Sequence, residues 1–561
     1  VSRICRGSLP RQRVRAGAPD PALTPNVGLA VISELCDRLG VISALDTAVG
    51  PVKQRDRGFG AGELLCGIAA AQLAGEDFLT GLDRQRADAA GQQLTPVPGL
   101  ASTTAAGLAR RVTPAQWRAV ESGLAAVTSR MLSLLPGPRS AALAGGPVTI
   151  DLDTTDVEVY GRKKRGVAWN HQGQRVGRPH VAAWAEAEIP LAADLGDGTD
   201  DPRATAPDLL RRALAALPAA ARASGRVAMR ADAGYFAGAL ARAAHEEKIA
   251  FAIGAKRIAP LWRLLAGIAE EDWHEAIEMD GAQVAVAEYC PDWWPADTRL
   301  LIRRVALDPV QVSADPRSRR RRTLHPDQRA LPFPELAAAG PVYAYSFILT
   351  NLDVSSPSRA VAAEHWYRHR TTVENLFRDS KLGAALRHLP SGYPQVNLAW
   401  MWGALLAAAM AAWLHQLTAT ALGEDIVHGH GVRGGKAMIA TLRRRLIAVP
   451  GRLIRHARHL ILRLPPGHGL LHEVLARLRA LPAPALPALP EPRLPVLAHG
   501  PPAPARRKAP QIADPAPFPG RQHARCRESR RTKIIYAGKD RLTVLFADSG
   551  QNDRRAPRIA V

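Results

Sequence analysis

Apolar positions recur at three- and four-residue spacings from about residue 25 to 140, as in VISELCDRLGVISAL and AGELLCGIAAAQLAG, and predict an all-α unit. Ser102 to Thr104 and Thr113-Pro114 supply start signals for two of its helices. The period changes after Gly145-Gly146-Pro147. VTIDLDTTDVEVYG alternates as a hairpin does, and HVAAWAEAEIPL reads as a third strand. APDLLRRALAALPAAARA then reads as a helix, RVAMRAD as a strand, YFAGALARAAHEEK as a helix and IAFAIGA as a strand. This β-β-β-α-β-α-β order over 145–255 predicts a mixed sheet with helices packed against it.

Residues 256–345 interrupt that order with a β-rich insertion: WHEAIEMDG, AQVAVAEYC, TRLLIRRVAL and YAYSFILTNLD carry antiparallel-strand patterns. One long helix is expected from about Ser358 to Leu386, within a returning core at 346–420. Residues 421–480 read as basic and helical. Residues 1–24 form an irregular basic lead, and 481–561 a Pro/Ala-rich tail expected to be disordered, with an isolated hairpin at 533–550. The apolar run Leu398 to Leu414 is at the lower length limit of a membrane span. It is Ala-rich, lacks flanking charge asymmetry and reads as a buried core helix, so no membrane is expected as a partner.

Charge narrows the function. Lys and Arg number 74 against 51 Asp and Glu, a net charge of +23. Such a chain attracts polyanions through phosphate contacts. A bias toward Arg, Ala, Gly and Pro explains the preference for Arg over Lys, but not the positive excess. Five scattered cysteines with no CxxC pair argue against a disulfide framework and a structural zinc site, and fit a reducing cytoplasm. The basic N-terminal stretch lacks the apolar core of a signal peptide.

Three places carry candidate chemistry. In VTIDLDTT, alternation puts Thr149, Asp151 and Asp153 on one strand face, where two carboxylates either face solvent at the strand's end or, if buried, need a neutralising cation. In RVAMRADAGYF, Asp232 ends a strand and Gly234 permits a tight turn; the carboxylate sits where α/β folds place sites, or caps the next helix. In HWYRHRTTVENLFRDSKLGAAL, at about 100° per residue, Tyr367, Arg370, Glu374 and Lys381 fall within an arc of about 60° beside an apolar stripe of Trp366, Val373 and Phe377. Basic groups suited to phosphates are Arg110 and Arg111 in the helical unit and Lys163, Lys164 and Arg165 past the first strand. The Arg run of Arg317 and Arg319 to Arg322 reads as a solvated loop that can also grip phosphates.

The pattern Y-x2-R-x3-E-x6-K on Tyr367, Arg370, Glu374 and Lys381 resembles the signature of a large branch of bacterial insertion-sequence DDE transposases. Asp153-Thr154-Thr155 resembles the D-x-T strand end of that branch, and Asp232 to Phe236 its D-A-G-Y-F turn. YGRKKRGVAWNHQG is similar to the group 1 DDE transposase domain, and the likeness covers roughly residues 25 to 465. It implies an α/β RNase H-like mixed sheet with a β-rich insertion before the last catalytic helix; the N-terminal all-α unit reads as a domain that binds DNA ends or as a plain helical bundle. The interval from Asp232 to Glu374, 374 − 232 = 142 positions, leaves room for that insertion. It further implies Asp153, Asp232 and Glu374 as catalytic ligands of two Mg²⁺ or Mn²⁺ ions, with Asp151 as the alternative to Asp153 on the same face. Tyr367, Arg370 and Lys381 would bind phosphates, and Trp293 and Trp294 either stack on an unpaired base or belong to the core. The implied partners are double-stranded DNA, as terminal inverted repeats and target, and a second copy in a synaptic homodimer. The implied location is the cytoplasm, on the nucleoid. The alternatives are a non-transposing nuclease of the same fold and an inactive remnant that only binds DNA ends. The intact acid triad argues against decay of the core.

Overall fold

A computed structural model describes residues 17–54, 57–312, 315, 318–418 and 436–482. The Pro/Ala-rich tail beyond 482, the hairpin expected at 533–550, residues 1–16 of the basic lead and Arg317 lie outside the described residues.

The N-terminal periodicity resolves into α1 (Leu29–Leu39), α2 (Val41–Val49) and α3 (Ala61–Ala74), followed by shorter helices and the long α4 (Pro114–Leu134). Gly40, at φ 63°, adopts the left-handed conformation that ends α1 and lets α2 begin at once. Thr113 and Gln116 close a capping box at the start of α4: the Gln116 N–H donates to Thr113 Oγ1 at 3.3 Å and the Thr113 N–H to Gln116 Oε1 at 3.0 Å.

The sheet begins with β1 (Val148–Thr154), β2 (Arg175–Trp184) and β3 (Ile189–Asp197), antiparallel in sequence. Helix α5 (Pro202–Ala216) crosses over to β4 (Val227–Ala231), which pairs parallel to β1. Helix α6 (Gly238–Glu246) leads to β5 (Ala250–Ala255), parallel to β4. The order β3-β2-β1-β4-β5 thus places the C-terminal ends of β1 and β4 side by side at the sheet centre. The insertion strands do not form a separate sheet. β6 (Ala282–Ala287), β7 (Arg299–Leu307) and β8 (Val342–Thr350) continue the same sheet, β8 pairing antiparallel to β5.

β1 is buried on both faces. Val148, Ile150 and Leu152 are fully buried, and so are Thr149 and Asp151 on the opposite side. The polar face is internal because it is satisfied: Trp366 Nε1 donates to Thr149 Oγ1 at 3.2 Å, and Asp151 is paired to Arg230.

Two expectations are corrected. The long helix expected from Ser358 to Leu386 is two helices, α7 (Pro357–Arg368) and α8 (Thr371–Leu382), interrupted where His369 takes ψ 43° and Arg370 ψ 13°. The helical wheel that aligned Tyr367 with Arg370, Glu374 and Lys381 therefore does not apply; across the break Arg370 lies over the Tyr367 ring. The basic segment expected to be helical forms an antiparallel hairpin, β9 (Gly451–His456) with β10 (His459–Arg463), turning through Ala457 and Arg458 at φ 45° and 67°. β9 pairs on its other edge with Leu23–Thr24 from the end of the basic lead.

The apolar run lies within α9 (Pro394–Thr418), which is almost wholly buried between α3 and the sheet. It is the one described helix long and apolar enough to cross a membrane. Here it is the spine of a continuous core reaching from Val27 to Leu478.

Candidate active site

Asp153 stands at the end of β1 with its backbone fixed by the strand pairing to β2. Its Oδ1 accepts from the Thr154 N–H at 2.7 Å, and its Oδ2 lies 4.0 Å from Arg370 Nη2. Asp232 follows the end of β4, and its Oδ1 accepts from the Gly234 N–H at 2.8 Å, capping the short turn Ala233–Tyr235. Glu374 lies in the first turn of α8. β1 and β4 are hydrogen-bonded neighbours, and α8 packs against β1, so three distant stretches of chain deliver three carboxylates to one place.

Electrostatics registers that convergence. The Asp153 carboxyl is pushed up to about 7, first by burial, then by the negative charge of Asp232 and, more weakly, Glu374; Arg370 and the Thr154 N–H pull the other way. The Tyr235 phenol is driven well above its ordinary value by burial and by the charges of Asp153 and Asp232. Its hydroxyl is buried without a hydrogen-bond partner. Arg370 is the counter-cation. Burial works against its charge, but Tyr367, Asp153, Asp232 and Asp151 outweigh that and hold the guanidinium above its ordinary value. Its Cζ lies 5.8 Å from the Tyr367 ring centroid, and its Nε is buried without a partner.

Tyr367 reaches across from α7, its hydroxyl donating to the Ala231 carbonyl at 3.3 Å. Gly254 on β5 makes room for it: a Cβ there would lie 2.5 Å from Tyr367 Oη and 2.8 Å from the Ala233 nitrogen. Lys381, in the last turn of α8, donates to Thr155 Oγ1 at 2.5 Å and to the Asp156 carbonyl at 2.8 Å. Burial lowers its ammonium below the usual lysine range, with Asp156 and Asp153 opposing.

Asp151 is placed differently from Asp153. It is fully buried, and Arg230 holds it by two bonds, Nε to Oδ1 at 2.7 Å and Nη2 to Oδ2 at 2.8 Å. Arg230, also buried, donates in addition to the Trp366 carbonyl and lies over the Trp366 ring. Sequence reasoning missed Arg230 and Gly254. The Arg230-Ala231-Asp232 string carried the first, since Arg230 and Asp151 are cross-strand partners in the β1–β4 register.

The outlying candidates divide. Trp294 is buried against Phe236 and Phe251, while Trp293 is half exposed with its edge toward Phe236. Lys163 and Arg165 are exposed, but Lys164 donates to the Leu389 carbonyl. Arg110 lies over the Tyr393 ring, and Arg111 is exposed beside it. Within the Arg run, Arg321 is buried and donates to the Leu331 carbonyl, which corrects its reading as a solvated group; Arg319, Arg320 and Arg322 are exposed.

A cluster of oxygen donors whose ionisation is disfavoured first by burial and then by mutual repulsion could hold hard divalent cations. No curated protein matches the chain. Among solved structures, the cryo-EM structure of the piggyBac transposase synaptic complex with hairpin DNA is similar at 9% identity and a TM-score of 0.35, over 75% of this chain and 79% of that one. The family model for the transposase DDE domain group 1 matches residues 8–312 and 336–483, most of the chain, and the protein therefore belongs to that family of transposases.

Proposed function

We propose that this transposase excises a bacterial insertion sequence at its terminal inverted repeats and joins the freed ends to target DNA, with Asp153, Asp232 and Glu374 as its catalytic carboxylates. The observation that carries this reading is the meeting of three carboxylates, Asp153 at the end of β1, Asp232 after the neighbouring β4 and Glu374 in the first turn of α8, with Asp232 and Glu374 close enough to raise the Asp153 carboxyl. We read β3-β2-β1-β4-β5 as an RNase H-like sheet, with β6 to β8 as the insertion that precedes the last catalytic helix.

The donor set fits Mg²⁺ or Mn²⁺. Asp153, which feels the charges of both other acids, would hold the ions together with Asp232 and Glu374. Bound there, the ions supply the positive charge that acidifies an attacking water or 3′-hydroxyl and stabilises the departing oxygen. The chain does the rest. Arg370 presents its buried, unpartnered Nε to a phosphate oxygen, and the Tyr367 ring keeps the guanidinium in line. Lys381 ties the end of α8 to the loop after β1, so that Glu374 and Asp153 stay in register, and its third donor remains for a phosphate. Exposed Lys163, Arg165 and Arg111 extend the basic track along double-stranded DNA. Half-exposed Trp293 is the better placed of its pair to stack on a displaced base. Two copies acting on two ends make the working unit a synaptic homodimer, and its place of action is the cytoplasm, on the nucleoid.

The test is strand cleavage of a labelled fragment carrying the parent element's end, in Mg²⁺, for the native chain and Glu374→Gln. Nicking at the element boundary followed by joining, both lost in a variant that still binds the fragment, is the expected result. Binding without cleavage by the native chain in Mg²⁺ and Mn²⁺ would sink the reading.

A further inference from the structure

A second set of metal-ligating side chains lies apart from the carboxylate triad. Glu278, His365 and His369 each offer one ligand atom, and these atoms lie within 4.8 Å of one another. His365 and His369 are one turn apart at the end of α7 and past its last residue, with ring centroids 4.1 Å apart. Glu278 belongs to the turn that precedes β6, and its Oε2 is 3.6 Å from His365 Nε2. From these residues we infer that the chain binds a borderline transition-metal ion, Zn²⁺ by preference, between the β-rich insertion and the helix break.

Three features favour a cation over a simple ion pair. His365 Nε2 is buried and makes no hydrogen bond, and Glu278 Oε2, at 3.6 Å, lies beyond hydrogen-bond reach of it. His369 Nδ1 sits 2.6 Å from the His365 carbonyl; as the N–H donor there, it turns the lone pair of His369 outward on Nε2. Such a backbone bond is the usual device that fixes the tautomer of a metal-binding imidazole. Arg368 is bonded to Glu364 and to the Ile277 carbonyl, next to Glu278, and among the described residues makes no ion pair with the Glu278 carboxylate. The 3.6 Å separation suits ligands on bonds of about 2.0–2.2 Å around one tetrahedral ion, and all three ligand atoms lie within 4.8 Å of one another. Two imidazoles and a carboxylate select Zn²⁺ or its neighbours over Mg²⁺, which distinguishes this site from an all-carboxylate one. It needs no cysteine.

The consequence lies in position. His369 immediately precedes Arg370 and the helix bearing Glu374, so a metal held with Glu278 pins the insertion to the break that orients α8. The inference does not depend on the proposed reaction, because its readouts are metal content and stability.

The experiment uses the full chain without a polyhistidine tag, stripped of metal and titrated with Zn²⁺, and with Co²⁺ as a visible-band probe. Expected are one Zn²⁺ per chain, a Co²⁺ d–d band of tetrahedral intensity, and a thermal midpoint raised by Zn²⁺. In His369→Ala and Glu278→Gln, affinity falls by more than about tenfold while the metal-free midpoint stays where it was. His369→Cys, which restores a ligand, keeps the Co²⁺ band with a sulfur charge-transfer component. No Zn²⁺ uptake by the native chain, equal affinity in both variants, or loss of the bound equivalent in Glu374→Gln instead would overturn the site.

Discussion

Arg230 and Asp151, 79 residues apart in sequence, meet as a two-point ion pair sealed inside the sheet, with bonds of 2.7 and 2.8 Å. The neighbouring strands β1 and β4 each contribute one partner, so the pair locks the register that also sets Asp153 beside Asp232. Removing one member leaves a buried charge without a counter-ion. Asp151→Ala is expected to destabilise the chain by about 3–5 kcal/mol. Asp153→Asn is expected to leave the chain folded and to abolish cleavage. Urea denaturation and the cleavage assay, run on both variants, separate the two acids. Equal stability of the two variants would mean that Arg230 finds another partner.

The sheet was legible because its strands alternate or run apolar between Gly and Pro signals, and Asp153, Asp232 and Glu374 each sit at an element end. Other features were hidden for physical reasons. The break at His369–Arg370 carries no Gly or Pro, and its cause is tertiary: Tyr367 and Arg370 turn inward to the Ala231 carbonyl and toward Asp153. The β9–β10 hairpin turns through Ala457 and Arg458 at positive φ, conformations that neither residue favours by itself. Pairing of β9 to Leu23–Thr24 supplies what the local sequence does not announce. Asp151 and Asp153 looked alike because alternation reports a face, not what covers it.

Gly254 touches the site from behind. An added methyl there would sit 2.5 Å from Tyr367 Oη, 2.8 Å from the Ala233 nitrogen and 3.2 Å from the Asp232 carbonyl carbon. Two of those are backbone atoms that cannot swing aside, so Gly254→Ala is expected to push the Asp232 turn outward. A displacement of about 1 Å costs on the order of 10²-fold in rate. Cleavage should fall by about that much, and the double variant Gly254→Ala/Tyr367→Phe should recover none of it. Recovery with Phe would put the strain on the phenol instead of the turn.

Arg370 needs both its charge and its fork. Arg370→Lys keeps a cation near Asp153 but loses the planar group over Tyr367 and the spare Nε. The expected outcome is a protein of near-native stability whose affinity for the element end falls and whose salt dependence flattens by about one phosphate contact. Binding isotherms at several salt concentrations give that slope directly. An unchanged slope would confine Arg370 to balancing the acids.

Helix α9 meets α3 at Gly403, where a Cβ would lie 2.4 Å from Ile68 Cγ2 and 2.8 Å from Gln72 Oε1. Gln72 is buried there and donates to the Trp400 carbonyl at 3.1 Å. Gly403→Val is expected to overpack this crossing and to cost about 1–3 kcal/mol, read as a lower urea midpoint. A neutral result would show that the two helices can separate without loss.

The site itself is expected to oppose the stability of the metal-free fold, and pH exposes it. Folding carries the Asp153 carboxyl from its ordinary 3.8 to about 7. Between those values the folded chain holds a proton that the unfolded chain has lost. The stabilisation from that proton is complete below about pH 3.8 and disappears as pH rises through about 7, amounting at most to about 4 kcal/mol. Asn at 153 can still accept the Thr154 N–H but carries no charge at any pH. Without divalent metal, Asp153→Asn should therefore be more stable than the native chain at about pH 8, and the difference should shrink toward about pH 5. Adding Mg²⁺ should reverse the order at pH 8, because only the native carboxylate set binds it and gains by mass action. Thermal midpoints of both chains, with and without Mg²⁺ at the two pH values, decide the matter. A variant with no advantage at pH 8 would mean that Arg370 alone neutralises Asp153, and the carboxylates would then have no electrostatic need for a metal.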